Sequence, residues 1–143
     1  MDKRIERFIR QHHVLSLATI GADGHDGFPE LWTSHVFYAY RAEDHTLVFT
    51  TDLTTRHGQE MLANPMVSGG IVLETKLVGK IRGLQLTGQV RQVAAGESHY
   101  RKVYLKRFPY AMAAKLNLWI LQPRYLKFTD NRLGFGRKIE EQL

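Results

Sequence analysis

Residues 31–65 read LWTSHVFYAYRAEDHTLVFTTDLTTRHGQEMLANP, and the way this stretch divides decides the fold. Residues 31–40 mix aromatic and β-branched side chains, as do residues 46–51 (TLVFTT), and both predict strands. The polar Arg41-Ala42-Glu43-Asp44 between them is short, as a hairpin connection should be. Residues 54–64 predict a helix with Thr54 or Thr55 as its cap. Asn64-Pro65 ends it, because proline disfavours helical geometry in the residue before it.

On the N-terminal side, residues 2–12 place Ile5, Phe8 and Ile9 on one helical face, with Asp2 as a candidate cap. Residues 14–20 predict a strand, and the glycine-rich loop of residues 21–27 ends it. On the C-terminal side, strands are predicted over residues 66–73, 81–93 with a break at Gly88, and 118–128. Pro123 should lie at an edge or a bulge of the last strand, and Gly69-Gly70 marks a bulge or a close backbone approach. Helices are expected over residues 96–108 and 110–116. Six strands with short connections and few helices predict a mainly β protein, an antiparallel six-stranded barrel with helices packed around it. The length of 143 residues suits one domain spanning residues 1–143.

Composition removes several classes of chemistry. There is no cysteine, so disulfides, thiolate metal sites and cysteine nucleophiles are excluded, and a reducing, cytoplasmic setting is the expectation. No apolar stretch is long enough to cross a bilayer, and the N-terminus lacks the apolar run of a signal peptide. The seven histidines show no H-x-H or H-E-x-x-H spacing, so no metal site is expected. No serine sits in a G-x-S-x-G elbow. The net charge of +6 suits an anionic partner, but basic and aromatic residues do not interleave on one strand, which argues against nucleic acid.

The chemistry-bearing stretch is Phe49-Thr50-Thr51-Asp52-Leu53-Thr54-Thr55-Arg56-His57-Gly58. A strand ends in two hydroxyls and enters a helix whose first turn carries Arg and His. Free N–H groups at a helix start favour an anion, and Arg56 offers a two-pronged grip on a phosphate. On spacing alone, a capped surface helix whose arginine faces water fits equally and is the commoner arrangement.

A resemblance adds to this. Thr51-Asp52-Leu53-Thr54-Thr55-Arg56-His57, followed by Asn64-Pro65, resembles the T-N-L-x-S-R-K stretch of the flavin-binding split barrels related to pyridoxamine 5'-phosphate oxidase. Arg82-Gly83-Leu84-Gln85-Leu86-Thr87-Gly88 is similar to that superfamily's R-Q-V-x-I-x-G strand. Lys127-Phe128-Thr129-Asp130-Asn131-Arg132-Leu133-Gly134-Phe135-Gly136-Arg137-Lys138 resembles the C-terminal signature of a small branch of it. The resemblance implies a split barrel binding flavin mononucleotide (FMN), with Thr50, Thr51, Arg56 and His57 on the phosphate and Arg82 and Gln85 on the flavin. It implies a homodimer with the cofactor between subunits, and an oxidoreductase acting on a small molecule. The alternative is a binding module of the same shape that holds flavin, haem or another anionic ligand without turnover. His57 stands where the family carries lysine, and Gly83 where it carries glutamine. Ser34 and His35 stand where a basic residue is usual.

Overall fold

Strand alternation, which marks the strands in the sequence, also closes them into a ring. The computed structural model describes Met1–Leu143 and contains seven antiparallel strands. They are β1 (Val14–Asp23), β2 (Pro29–Arg41), β3 (Thr46–Thr50), β4 (Met66–Val72), β5 (Arg82–Gln92), β6 (Leu118–Asp130) and β7 (Lys138–Gln142). Their order is β3-β2-β1-β4-β5-β6-β7, and a further pairing of β3 with β6 closes six of them into the expected barrel. The split is visible on one edge of β6, where residues 118–121 pair with β3 and residues 125–129 pair with β7. The seventh strand is an addition to the six expected. Its sequence, KIEEQ, carries one apolar residue among charges and offers no alternation to read.

Inward-facing residues of β1 to β6 form one core, including Leu15, Leu17, Tyr38, Phe49, Leu84, Trp119 and Leu126. Ile5, Phe8 and Ile9 of α1 (Lys3–Gln11) join it, as does Met61 of α2 (Arg56–Ala63). A smaller cluster lies outside the barrel wall, where Ala39, Val48 and Ile120 are covered by Tyr100, Tyr104 and Phe108. The two tyrosines belong to α3 (Ser98–Arg107) and Phe108 ends it. The helix expected over residues 110–116 is instead a short 3-10 segment, Pro109–Ala113. Of the strand aromatics, Tyr38, Phe49 and Trp119 are buried, but Trp32 and Phe37 stay 43% and 53% exposed.

Local signals account for the helix ends. The Asp2 side chain accepts from the Arg4 amide, and the Thr55 hydroxyl accepts from the Gly58 amide. Asn64 is extended, as a residue before proline should be. The expected irregularity in β5 is a register shift: Thr87 lies opposite Tyr125 but Gly88 opposite Pro123, so Arg124 bulges out beside the proline. Gly69, by contrast, marks a close approach, since a Cβ there would lie 2.9 Å from a Leu15 methyl and 3.0 Å from the Ser16 carbonyl oxygen.

A Cβ at Gly88 would run into the Gln122 carbonyl oxygen, a backbone atom that cannot swing aside. Gly88→Ala is therefore expected to destabilise by about 1–3 kcal/mol, the usual cost of overpacking. It should lower the urea midpoint with an unchanged slope. An unchanged midpoint would mean that the bulge is soft enough to absorb a methyl group.

Candidate functional site

The segment after β3 is shaped by Asp52. Its Oδ1 accepts from the Thr54 amide and hydroxyl, both at 2.8 Å, and its carbonyl accepts from the Thr55 hydroxyl at 2.7 Å. Thr55 in turn caps α2, accepting from the Gly58 amide at 3.1 Å. The Arg56 and His57 amides have no acceptor within the chain. This is the geometry that favours an anion at a helix start.

The structure brings some of the expected residues together here and separates others. Thr51 is buried, and its hydroxyl lies 3.1 Å from Nε2 of His57. The Thr50 hydroxyl instead donates to the Asn117 carbonyl at 3.2 Å, the same oxygen that accepts from the Thr51 amide. Thr50 thus serves the seam between β3 and β6. The Arg56 Nε donates to Glu60 at 3.2 Å and its Nη2 to Glu30 at 3.0 Å, while the guanidinium stacks 4.4 Å from the Trp32 ring centroid. Its Nη1 makes no hydrogen bond within the chain. The Glu60 side chain is only 10% exposed and also accepts from the Thr19 hydroxyl. Glu30, 58% exposed, lies at the rim of a groove of about 340 Å³ shared with Arg56, Asp23 and His25.

Arg82 and Gln85 both border one cleft, although their side chains have opposite parity on β5. Gln85 is exposed and lines a cleft of about 390 Å³ with Ser16, Gly70, Val72, Gly83 and Thr129. The Arg82 side chain has the parity of the buried Leu84 and Leu86, and its guanidinium lies 5.8 Å from the Phe8 ring of α1. No residue of the segment 50–57 lines the cleft.

The family described as pyridoxamine 5'-phosphate oxidase matches residues 1–129. The chain belongs to that family. A close relative within it, the UPF0306 protein plu4501 of Photorhabdus laumondii, is 35% identical over 136 residues, 94% of this chain and 91% of that protein. Among solved structures, a haem-binding protein from Mycobacterium smegmatis superposes with a TM-score of 0.74 at 19% identity. This chain is covered over 94% of its length and spans 55% of that protein. HutZ of Vibrio cholerae, described as a haem storage protein, gives 0.63 at 19% identity, over 86% of this chain and 89% of that one. At these identities the structures establish a shared split-barrel fold.

Within this family frame, the charges around Arg56 are unusual in sign. Hydrogen bonds from Thr54 lower the Asp52 pKa, so a negative charge stands beside the start of α2. Burial lowers the His57 pKa below the ordinary imidazole value, and the nearby Glu60 opposes this only in part. His57 is therefore a neutral hydrogen-bonding group at neutral pH, where a lysine would supply a fixed charge. Trp32, Glu30 and Glu60 are the participants that sequence reading missed. Glu60 stands four residues after Arg56, a spacing that pairs side chains on a helix, whereas nothing in the sequence links Glu30 or Trp32 to it.

The His57 shift fixes a sign for pH dependence. Its folded pKa lies below the unfolded one, so the unfolded chain takes up the proton first as pH falls. The stability held by the neutral ring is present above about pH 6.5 and is lost as pH drops toward the folded value. Urea midpoints should accordingly fall less steeply for His57→Gln than for the parent between about pH 6.5 and 5. Parallel curves would show that His57 titrates like a free imidazole.

Proposed function

We propose that this protein binds FMN at the junction of β3 and α2 and acts, as a homodimer in the cytoplasm, as a flavin-dependent oxidoreductase on a small molecule. The observation that carries the reading is the set of unsatisfied donors at one point: the Arg56 and His57 amides and Nη1 of Arg56, beside the Thr51 hydroxyl. The family match spans all of these residues. The pair of Arg56 with the exposed Glu30 is worth about 0–1 kcal/mol, whereas a hydrogen bond to a charged phosphate contributes about 1.5–3 kcal/mol. A phosphate can therefore replace Glu30, although Asp52 and the neutral His57 weaken its hold. The residues fit the group on these terms. The flavin would supply the redox chemistry, and this chain would supply position and electrostatics.

The dimer is supported by the part of the outer face of β2, β1 and β4 that lies beyond the cover of α3 over Ala39. It carries Leu31 at 72% exposure, Val72 at 67% and Phe37 at 53%, with Val14 directly opposite Phe37. Apolar exposure of this kind on a sheet marks an interface. The same arrangement accommodates the separation of the segment 50–57 from the Gln85 cleft, because a second copy can bring its cleft to the first copy's helix start.

A second reading is a binding module for haem or another planar anion without turnover. Two proteins of the same fold are described as haem proteins. In this chain, Nδ1 of the exposed His35 lies 3.0 Å from the Ser16 hydroxyl that lines the Gln85 cleft, a position from which an imidazole could reach a metal. A Soret band that His35→Ala abolishes, with no flavin uptake, would favour this reading over the first.

Two outcomes are expected of the leading reading. Arg56→Ala should weaken FMN binding about ten- to a hundredfold by absorbance titration while leaving riboflavin, which lacks the phosphate, almost unaffected. Equal FMN affinity in the variant would overturn the phosphate assignment. Leu31→Arg should convert a dimer to a monomer in sedimentation experiments while preserving the circular dichroism of the fold. A variant that stays dimeric would place the interface elsewhere.

A further inference from the structure

Beside the end of the barrel closed by α1 lies a basic recess of about 220 Å³ that the proposed function does not use. Arg4, Arg7 and Gln11 line one side of it, spaced at three and four residues so that α1 presents them as one stripe. Arg82, the first residue of β5, forms the floor, with Phe8 packed against its guanidinium. Asp130 and Arg132, from the end of β6 and the 3-10 turn after it, form the far wall. Four guanidinium groups therefore line a space that contains one carboxylate.

Their partners are unevenly distributed. Arg132 holds both oxygens of Asp130, at 2.9 and 2.7 Å. Arg4 holds Asp2, at 3.1 and 2.8 Å. The Arg7 and Arg82 side chains make no ion pair, and the buried Nε of Arg82 has no hydrogen-bond partner. The Nη groups of Arg82, which are not cut off from solvent, and the exposed Arg7 are thus left with donors that the chain does not use. The positive field extends outward, because Arg4 also borders an adjoining groove with Arg137 and Lys138. The segment 127–138, the C-terminal stretch singled out in the sequence, thus supplies one wall of the recess and much of the charge at its mouth.

We propose that this recess is a second anion site, separate from the junction of β3 and α2, in which Arg7 and Arg82 bind the phosphate group of a small molecule. Two unpaired guanidinium groups offer parallel hydrogen bonds suited to a tetrahedral oxyanion, and Gln11 adds an amide donor. Phe8, Phe128 and Leu133 give the recess an apolar side against which the remainder of a phosphate ester can pack.

The test uses the full-length protein and two probes, inorganic phosphate and glycerol 3-phosphate, titrated at constant ionic strength and followed by calorimetry and by backbone amide NMR shifts. Saturable binding is expected, with shifts at residues 4–11, 82 and 130–133, and Arg7→Gln and Arg82→Gln should each weaken it about tenfold or more. Arg101→Gln, on the outside of α3, should leave it unchanged. Tighter binding of the ester would identify an organic phosphate as the ligand, and equal binding would identify phosphate itself. Because Arg82→Gln touches the barrel end and could impair folding, the exposed Arg7 carries the test on its own if that variant fails to fold. The proposal is overturned by the absence of saturable binding, by affinity indifferent to Arg7→Gln, by an equal loss in Arg101→Gln, which indicates bulk charge, or by amide shifts confined to residues 51–58, which assign the phosphate to the other site. Since Arg56 is not part of the recess, failure here leaves the flavin reading untouched, and failure of flavin binding leaves this one.

Discussion

Strands β3 and β6 have to meet across a long stretch of chain, with Thr50 and Asn117 lying 67 residues apart, and the position of everything else follows from that pairing. The entropic cost of such a closure grows only as the logarithm of loop length. Against it stand Leu47, Phe49, Trp119 and Leu121, all at 1% exposure or less, each of which stabilises by about 1.5–3 kcal/mol on leaving water. Once the register is set, alternation sends Phe49 into the barrel, Val48 outward beneath α3, and Thr51 toward α2. A slip of one residue would exchange these directions and turn the Thr51 hydroxyl away from His57. The Asn117 carbonyl fixes the register at the point where the candidate site begins, since it accepts from both the Thr50 hydroxyl and the Thr51 amide.

The parts of this arrangement that were legible in the sequence are those set by near neighbours. Caps at Asp2 and Thr55, the stop at Asn64-Pro65 and the irregularity near Gly88 and Pro123 each depend on residues a few positions apart. Strand alternation was legible for the same reason, and it carried the barrel class. The strand β7 was not legible, because it is held by β6 through backbone pairing while its own side chains are mostly charged. Trp32 illustrates a different limit. Its composition reads as core, and its partner Thr19 on β1 is buried, yet at the end of the strand there is no opposing apolar layer and the indole becomes a platform for Arg56. Likewise Arg82 and Gln85 stand close in one motif and both border the open cleft, but three residues along a strand gives them opposite parity, and the Arg82 guanidinium also reaches Phe8 of α1.

Burial determines which partner of Arg56 can be exchanged. The Glu60 carboxylate is nine-tenths buried and also accepts from the Thr19 hydroxyl, so this pair is the firmer of the two. Glu30 is more than half exposed, its charge is largely solvated without Arg56, and its loss costs little. Glu60 and the Trp32 ring therefore hold the guanidinium in place, while Nη2 has only the exchangeable Glu30 and Nη1 has no partner in the chain. An arginine held this way loses less side-chain freedom on binding than one free in solvent, which favours affinity even where the local charge does not. The junction thus trades net charge for preorganisation.

The recess beside α1 is built on the opposite balance. Its acids are hydrogen-bonded to Arg4 and Arg132, and although the Arg82 charge also helps to lower the Asp130 pKa, neither Arg7 nor Arg82 makes a direct ion pair. Arg82 is half-buried: its stem has the parity of the core residues of β5, its guanidinium rests against Phe8, which is 2% exposed, and only its Nε is cut off from solvent. Neither the barrel nor the seat of α1 requires a charge at that position, as Ile5, Phe8 and Ile9 already anchor the helix through apolar contact. The proposed anion site gives the arginine at that point a role beyond its contacts with Phe8 and Asp130.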